Sequence, residues 1–313
     1  MTRLCVIQAR MGSTRLPGKV LADLGGLPVI RFLLRRLEPL THGLVDHLVV
    51  ATSVASGDNA IVDAANAEGV PVVRGSEADV LGRFGAALDE FPADVVIRLT
   101  ADCPLADPEI VVAAIERAEA TDADYTSNTL VRTFPDGLDV EVVRAGALRA
   151  AIAEADDVAE REHVTPFVYR RPGRFRLEPL FSGRLLGDER WTLDTADDLE
   201  RIRAIVAALP DPIGARWLDV LAVAERRPWP DAGEVQLSPD VEYPLARGRA
   251  WVVARDGIIL GKLIVEIRDG GEASLTVVGV PVEVREVAVG LLHGALRADL
   301  QVRHLDAPRY LDP

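Results

Sequence analysis

The first 120 residues alternate short β-branched and apolar runs with segments of helical period, and nothing else in the chain restricts its fold as much. Leu4–Gln8, His47–Thr52, Val70–Val73 and Asp94–Leu99 read as buried strands. Between the first two, Pro28–Leu40 carries apolar residues at 29, 30, 33, 34, 37 and 40, one face of a helix. Ala60–Glu68 and Val80–Phe91 read as further helices, the first closed by Gly69 where a helix C-terminus favours glycine. Asp107-Pro108-Glu109 supplies an N-cap, a proline for the first turn and an acid at the positive dipole end, so another helix runs from there to about Ala120. This alternation predicts an α/β fold with a parallel sheet. Ligands of such sheets bind beyond the carboxyl ends of the strands, which directs the loops after Gln8 and Leu99 to one crevice.

After residue 120 the rhythm loosens. Asp139–Val143 and Arg174–Leu177 read as strands and Gly146–Ala155 as a helix. Arg190–Leu193 leads into Asp194, a capping box (Thr195-x-x-Asp198) starts the next helix, and Ala215–Arg226 forms another. Four prolines within 227–244 mark a connector, so the expected division is a domain over 1–230, a linker over 231–245 and a small α+β domain over 246–313. In the last of these, Ala250–Ala254, Ile259–Ile267 and Ala273–Val278 read as strands joined by Asp-Gly and Gly-Gly turns, Val284–Arg297 as a helix and Leu300–Leu305 as a strand.

Composition narrows the partners. The chain of 313 residues is 49% apolar and carries a net charge of −14, which argues against a nucleic-acid partner because phosphate-backbone binding wants a basic face. A small phosphorylated ligand needs only a local basic pocket, and Arg10, Arg15 and Lys19 offer one. Two cysteines, Cys5 and Cys103, are too few and too far apart for a disulfide framework or a metal cluster. The N-terminus lacks the apolar run of a signal peptide, and no uninterrupted apolar stretch of about 18 residues suggests a membrane span. A reducing cytoplasm is the expected compartment.

The chemistry-bearing residues cluster in the two loops. Gly12 to Val20, G-S-T-R-L-P-G-K-V, falls short of a P-loop: five residues separate its glycines, and Lys19 is followed by Val20, which cannot ligate Mg²⁺. Backbone N–H groups near Gly12 and Gly18, with Arg10, Ser13, Arg15 and Lys19, can still cradle a triphosphate; equally, the loop can be a basic surface paired with nearby acids. In the second loop, Asp102 can hold a hard divalent cation or cap its own turn, and Asp194 can be a metal ligand or part of the helix start at Thr195. Asp139 and Glu141 share one face of a strand, which can line a site or meet solvent.

Six segments taken in order carry a resemblance: QARMGSTRLPGKVL (8–21), VVRGSEADVLGRF (72–84), RLTADCPL (98–105), SNTLVRTFPDGLDVEV (127–142), EREHVTPF (160–167) and RWTLDTADDLE (190–200). Over about residues 1–226 the chain resembles the spore-coat-polysaccharide cytidylyltransferase-like family, related to the enzymes that make CMP-activated 3-deoxy-octulosonate and CMP-activated sialic acids. The resemblance implies the sheet fold of nucleotide-diphospho-sugar transferases and an Mg²⁺-dependent nucleotidyltransferase of surface-polysaccharide biosynthesis. CTP would be the donor, the acceptor an oxygen of a sugar acid or related small molecule, and pyrophosphate the leaving group. It makes Arg15, Lys19 and Asp102 catalytic, and Asp102 and Asp194 the Mg²⁺ carboxylates. It puts Arg10, Gly12, Ser13, Arg74, Ser76 and Arg98 beside the nucleotide, and Asp139 and His163 beside the acceptor. For Arg74 the plain alternative is a solvated strand-end arginine, and for His163 a structural histidine bonded to Glu160 or Glu162. Relatives of this kind are often dimers, so a homodimer is also an expectation.

Two other classes stay open on the sequence. A nucleotide-sugar-dependent glycosyltransferase would usually show Asp-x-Asp where this chain has Asp102-Cys103-Pro104. A non-catalytic nucleotide-binding scaffold would have no need of Arg15, Lys19, Asp102 and Asp194 together. The last domain resembles an acetyltransferase of the GNAT type in degenerate form: at 285–290 Ala288 replaces the first glycine of the pyrophosphate turn, and Glu286 adds negative charge beside it.

Overall fold

The computed structural model describes residues 1–13, 15–183 and 186–225, and beyond them chiefly strand segments within 235–311. It divides into two compact units, one of residues 1–180 and 185–228, the other of 181–184 and 229–313.

The first unit is built on a seven-stranded sheet. β1 (Arg3–Gln8) leads through a 3₁₀ turn (Lys19–Leu21) and a small hairpin of β2 (Asp23–Leu24) and β3 (Leu27–Pro28) to α1 (Val29–Leu37). There follow β4 (His47–Ser53), α2 (Asn59–Asn66), β5 (Val72–Gly75), α3 (Val80–Glu90), β6 (Val95–Thr100) and α4 (Pro108–Thr121). The chain continues through β7 (Tyr125–Ser127), β8 (Glu141–Arg144), α5 (Ala145–Glu154), α6 (Val158–His163), α7 (Pro166–Tyr169), β9 (Leu177–Pro179), α8 (Ala196–Ala208) and α9 (Trp217–Glu225). Strand order is β5-β4-β1-β6-β8-β7-β9. β8 is antiparallel to both its neighbours, whereas the other pairings in this sheet are parallel.

The strands expected from the first 100 residues all form, with ends shifted by a residue or two. Further along the differences are larger. The strand expected at Arg174–Leu177 forms instead at Leu177–Pro179, because Arg174 and Phe175 are drawn into the turn that closes α7, both N–H groups donating to the Arg171 carbonyl. Tyr125–Ser127 was not legible as a strand; three residues give too short an alternation.

Burial explains why β1, β4 and β6 read as continuous apolar runs. Leu4, Val6, Val49, Ala51 and Val96 pack with Leu81, Phe84 and Leu88 of α3 and with Leu148 and Ala151 of α5. The alternate set, Cys5, Ile7, Val50, Ile97 and Leu99, lies on the other face and is equally buried. A sheet covered on both faces needs no polar alternation. No helix among the described residues is long and apolar enough to cross a membrane.

One buried charge ties the layers together. Arg36, 1% exposed, ends α1 inside the protein. Its guanidinium donates to the carbonyls of Leu105 and Ala106 in the loop after β6, and to those of Pro212, Ile213 and Ala215 before α9. Burial lowers its pKa, and Asp107 and Asp211 oppose that shift. Asp107 in turn caps α4 through the Glu109 N–H, as its sequence predicts, and also accepts the Trp217 N–H.

The second unit contains a sheet of β10 (Val235–Pro239), β11 (Gly248–Arg255), β12 (Ile258–Ile267), β13 (Glu272–Val278), β14 (His304–Leu305) and β15 (Arg309–Leu311). β10 to β13 pair antiparallel in sequence order, and β14 and β15 each pair parallel with β13. Val253, Leu263, Val265, Leu275 and Val277 are buried. Within the stretch expected as a linker over 231–245, Val235–Pro239 forms β10 and pairs residue by residue with Trp251–Arg255. β10 lies at the edge of its sheet, where a proline such as its last residue, Pro239, is tolerated. The expected helix Val284–Arg297, and with it the 285–290 turn, lies mostly outside the described residues.

Replacing Arg36 with Met should leave five carbonyls, those of Leu105 and Ala106 buried and the other three partly so, without their Arg36 donor, and cost about 3–5 kcal/mol. Chemical denaturation of the purified variant measures that loss.

Candidate active site

The site begins with strand register. Gln8 of β1 lies opposite Thr100 of β6 on one side and Ala51 of β4 on the other, and the Ala101 N–H and Ala9 N–H continue both ladders for one more bond. The loops that leave β1 and β6 are therefore side by side. Together they line a crevice of about 430 Å³. Of the residues singled out in the sequence, Arg10, Gly12, Ser13, Arg15, Lys19, Arg98, Asp102, Asp139, His163 and Asp194 all line it.

The first loop is held from below by a residue that no motif or spacing singles out. Asp58 is 3% exposed. One carboxylate oxygen accepts the Met11 N–H at 2.8 Å; the other accepts the Thr52 hydroxyl and both the N–H and hydroxyl of Ser53. Burial would raise its pKa, but these bonds bring it below the usual carboxylate value. Gly18 adopts φ +70, the left-handed conformation that glycine tolerates best, and turns the chain so that Lys19 points into the crevice.

Lys19 is the centre of the charge arrangement. Its ammonium lies 2.9 Å from Asp102 Oδ2 and 2.9 Å from Asp194 Oδ1. Arg15 also reaches Asp194 Oδ1, at 3.0 Å, and Arg190 reaches Asp194 Oδ2 at 2.9 Å. Burial works against ionisation of Asp194, but Lys19, Arg190 and Arg15 hold its pKa below the ordinary value. Thr195 is the N-cap of α8, with the full capping box to Asp198, so the Asp194 carboxylate is not needed there. The Asp102 carboxylate likewise faces Lys19, while its carbonyl accepts the Leu193 N–H at 2.7 Å and so fastens the 190–194 segment to the second loop.

Arg190 was missed, although its spacing of four from Asp194 and eight from Asp198 is readable. It bonds Asp198 through Nε and Asp136 through Nη1 as well as Asp194. Asp198 is buried enough to oppose its own charge, yet Arg190 and the N–H groups of Asp194 and Thr195 bring its pKa down to about 2. Gly137, at φ +113, lets the loop after β7 pass against the backbone of Trp191 and Thr192; a Cβ there would sit 2.4 Å from the Trp191 carbonyl carbon.

Under the crevice floor runs a buried polar chain. Arg98 donates to Gln8 Oε1 and pairs with Glu141 at 3.0 Å; the Thr165 hydroxyl bonds the same Glu141 oxygen. Burial lowers the Arg98 pKa, and Glu141 more than reverses that. So the polar face shared by Asp139 and Glu141 is divided: Glu141 is buried on Arg98, while Asp139 faces the crevice and receives a two-pronged contact from Arg132. His163 is exposed in the crevice at the end of α6. Glu160 is taken by Arg171 and Glu162 by Arg10, so neither holds His163. The next residue, Val164, is at φ +74, and the Thr165 N–H bonds back to the His163 carbonyl, a γ-turn of the strained hand that burial of Val164 sustains. Cys103, beside Asp102, is buried, and that burial together with Asp102 and Asp139 keeps its thiol protonated.

Two sequence-derived residues lie elsewhere. Arg74 does not line the crevice: its guanidinium bonds the Ser53 and Ala55 carbonyls and Asn59, bracing the link from β4 to α2. Ser76 accepts the Asp79 N–H and is likewise outside the lining. Arg83, which the sequence did not single out, is 1% exposed, and its guanidinium makes no hydrogen bond among the described residues; burial and nearby Arg10 lower its pKa, while Asp58, Glu77 and Asp79 oppose that.

A basic loop, two converging aspartates and a crevice at the carboxyl ends of a largely parallel sheet are the parts of a nucleotidyltransferase. Comparison with known proteins agrees. The cytidylyltransferase family profile matches residues 4–205, and the chain belongs to that family. The spore coat polysaccharide biosynthesis protein SpsF of Bacillus subtilis is 36% identical over 207 residues, which cover 64% of this chain and 85% of SpsF. A 3-deoxy-manno-octulosonate cytidylyltransferase of Nitrobacter hamburgensis is 29% identical over 250 residues, covering 67% of this chain and 94% of its own length. The structure of a cytidylyltransferase from Leptospira borgpetersenii superposes with a TM-score of 0.68 at 29% identity, over 72% of this chain and 94% of the other. Membership of this family sets aside the glycosyltransferase reading.

The depressed pKa of Asp198 has a testable sign. Its stabilising contribution, about 2 kcal/mol, is complete above the ordinary carboxylate pKa of 3.8 and is lost as pH falls toward about 2. Asp198→Asn should lower the melting temperature at pH 7 and flatten its decline between pH 4 and pH 2. A variant whose acid limb is as steep as that of the parent chain would place the titrating group elsewhere.

Proposed function

We propose that the protein transfers CMP from CTP to a hydroxyl of a small sugar acid or related acceptor, releasing pyrophosphate, with Mg²⁺ as its metal. The observation that carries this reading is the convergence of Lys19, Arg15, Asp102 and Asp194 on one point of the crevice. The names of the relatives support CTP as donor and a keto-sugar acid as acceptor.

The residues fit a hard divalent cation. Two carboxylate oxygens already converge on one cationic atom, and carboxylate oxygens are the donors such an ion prefers. Asp102 and Asp194 would hold it, and when bound it would neutralise charge on the phosphoryl oxygens. The chain's own groups do the rest. Arg15 and Lys19 bind the β- and γ-phosphates and stabilise charge on the departing pyrophosphate. The N–H groups and the Ser13 hydroxyl of the 10–18 loop cradle the same oxygens, with Gly12 keeping that wall low and Arg10 at its edge. Arg98, fixed on Gln8 and Glu141, lines the strand end beside the nucleotide. His163 and Asp139 face the acceptor and orient it. The acceptor hydroxyl gives its proton to solvent, a new oxygen–phosphorus bond forms at the α-phosphorus, and the bond to the bridging oxygen breaks, so that its electron pair leaves with pyrophosphate.

All the described lining residues belong to the first unit, so transfer is assigned to residues 1–230. The region 246–313 is read as a structural or self-association module.

Pyrophosphate release from CTP, Mg²⁺ and a panel of keto-sugar acids is the direct measurement. Asp102→Asn should abolish release with little change in melting temperature, since it removes one carboxylate charge from the metal site at nearly constant volume. Lys19→Ala should lower kcat by about 10²–10³-fold. Undiminished turnover in Asp102→Asn would sink the assignment. Stabilisation to heat by CTP but not by UTP, ATP or GTP tests the donor separately; a shift with UTP alone would change the product class.

A further inference from the structure

We propose that Lys19 is a cation stand-in: without nucleotide its ammonium occupies the place between Asp102 and Asp194 that a divalent ion would take, and excludes that ion until a triphosphate draws Lys19 away. The inference rests on the nucleotidyl-transfer reading and concerns the order in which its parts assemble.

The geometry leaves no room for both cations. Both 2.9 Å contacts of the ammonium are ordinary charge-assisted hydrogen bonds. Lys19 is no loose surface side chain: it is 11% exposed, and its backbone is fixed by the turn at Gly18 and by the buried Val20 that follows. Asp194 has little capacity to spare, since Oδ1 serves Lys19 and Arg15 while Oδ2 serves Arg190. A doubly charged ion coordinated by both carboxylates would lie within a few ångströms of the ammonium, where like charges repel strongly in so sheltered a site. The ion therefore enters only as Lys19 leaves. Leaving costs Lys19 two ion pairs, and an anion within its reach must replace them. Triphosphate oxygens supply that anion and also bring ligands for the metal.

Lys19 thus has two stations, on the aspartates in the empty site and on the phosphates in the loaded one. Metal and nucleotide must then bind with positive coupling, and each raises the affinity of the other by the same factor. An enzyme without nucleotide would already hold a cation between the two aspartates, and would be spared from trapping metal that has no nucleotide to act on.

The test is direct binding of Mn²⁺ alone to the full chain, with free Mn²⁺ followed by electron paramagnetic resonance. Lys19→Met should bind Mn²⁺ at least about tenfold more tightly than the parent chain. Lys19→Gln should behave like Lys19→Met, and Lys19→Arg, which keeps the charge, like the parent. Adding Asp102→Asn to Lys19→Met should abolish the gain, which locates the ion. A parent chain that takes Mn²⁺ alone as tightly as either neutral variant overturns the proposal, as does failure of both folded neutral variants to gain affinity. Heat stabilisation of the parent by CTP is measured in parallel. Its absence would count against the donor reading while leaving the Mn²⁺ comparison intact.

Discussion

The parallel pairing of β1 with β6 is the constraint on which the site depends. Because Gln8 stands opposite Thr100, the basic loop and the Asp102 loop leave the sheet at one level. Lys19 can then reach Asp102 although 83 residues separate them. A shift of one residue in that register would exchange the two buried faces and set each side chain into packing built for its neighbour, so the core packing of β1 and β6 protects the alignment of the charged loops. Asp194 arrives by another route. The Leu193 N–H on the Asp102 carbonyl and the Arg190 fork fix it from the side, and the capping box of α8 stops the chain from running past. A sheet register, one backbone bond and a helix cap thus bring together three charges from distant parts of the chain.

What could be read from sequence divides along physical lines. Strands buried on both faces give unbroken apolar runs, and β1, β4 and β6 were legible for that reason. The capping box at Thr195 and the proline start of α4 were legible because capping is local chemistry. Crevice residues were found where a loop follows such a strand, as with Lys19 and Asp102. Arg74 shows the limit: its place in the motif is plain, but whether a guanidinium turns to a ligand or to the Ser53 and Ala55 carbonyls depends on the loop between β4 and α2. Asp58 was invisible for the same reason. Its four donors come from residues that neither periodicity nor spacing connects to it.

The polar chain Gln8–Arg98–Glu141–Thr165 shows how burial and function are reconciled. An arginine and a glutamate removed from water are costly unless every charge has a partner, and here each has more than one. The same chain ties the ends of β1, β6 and β8 to the strained turn at Val164, so rigidity reaches His163 from beneath. The basic loop of the opposite wall is anchored through Asp58 and β4, a separate set of contacts.

That separation has a consequence for how such a protein can change. The wall bearing Lys19 and Asp102 is made by parallel strands and their crossovers. The wall bearing Asp139 and His163 hangs on β7, the reversed strand β8 and the short helices after it. The reversed strand meets the parallel array along a single edge, against β6. Insertions, exchanged segments or accumulated substitutions beyond that edge can reshape one side of the cleft while the other keeps its geometry. A lineage can explore new molecules on one side without relearning the step performed on the other, and a protein engineer can cut at the same seam.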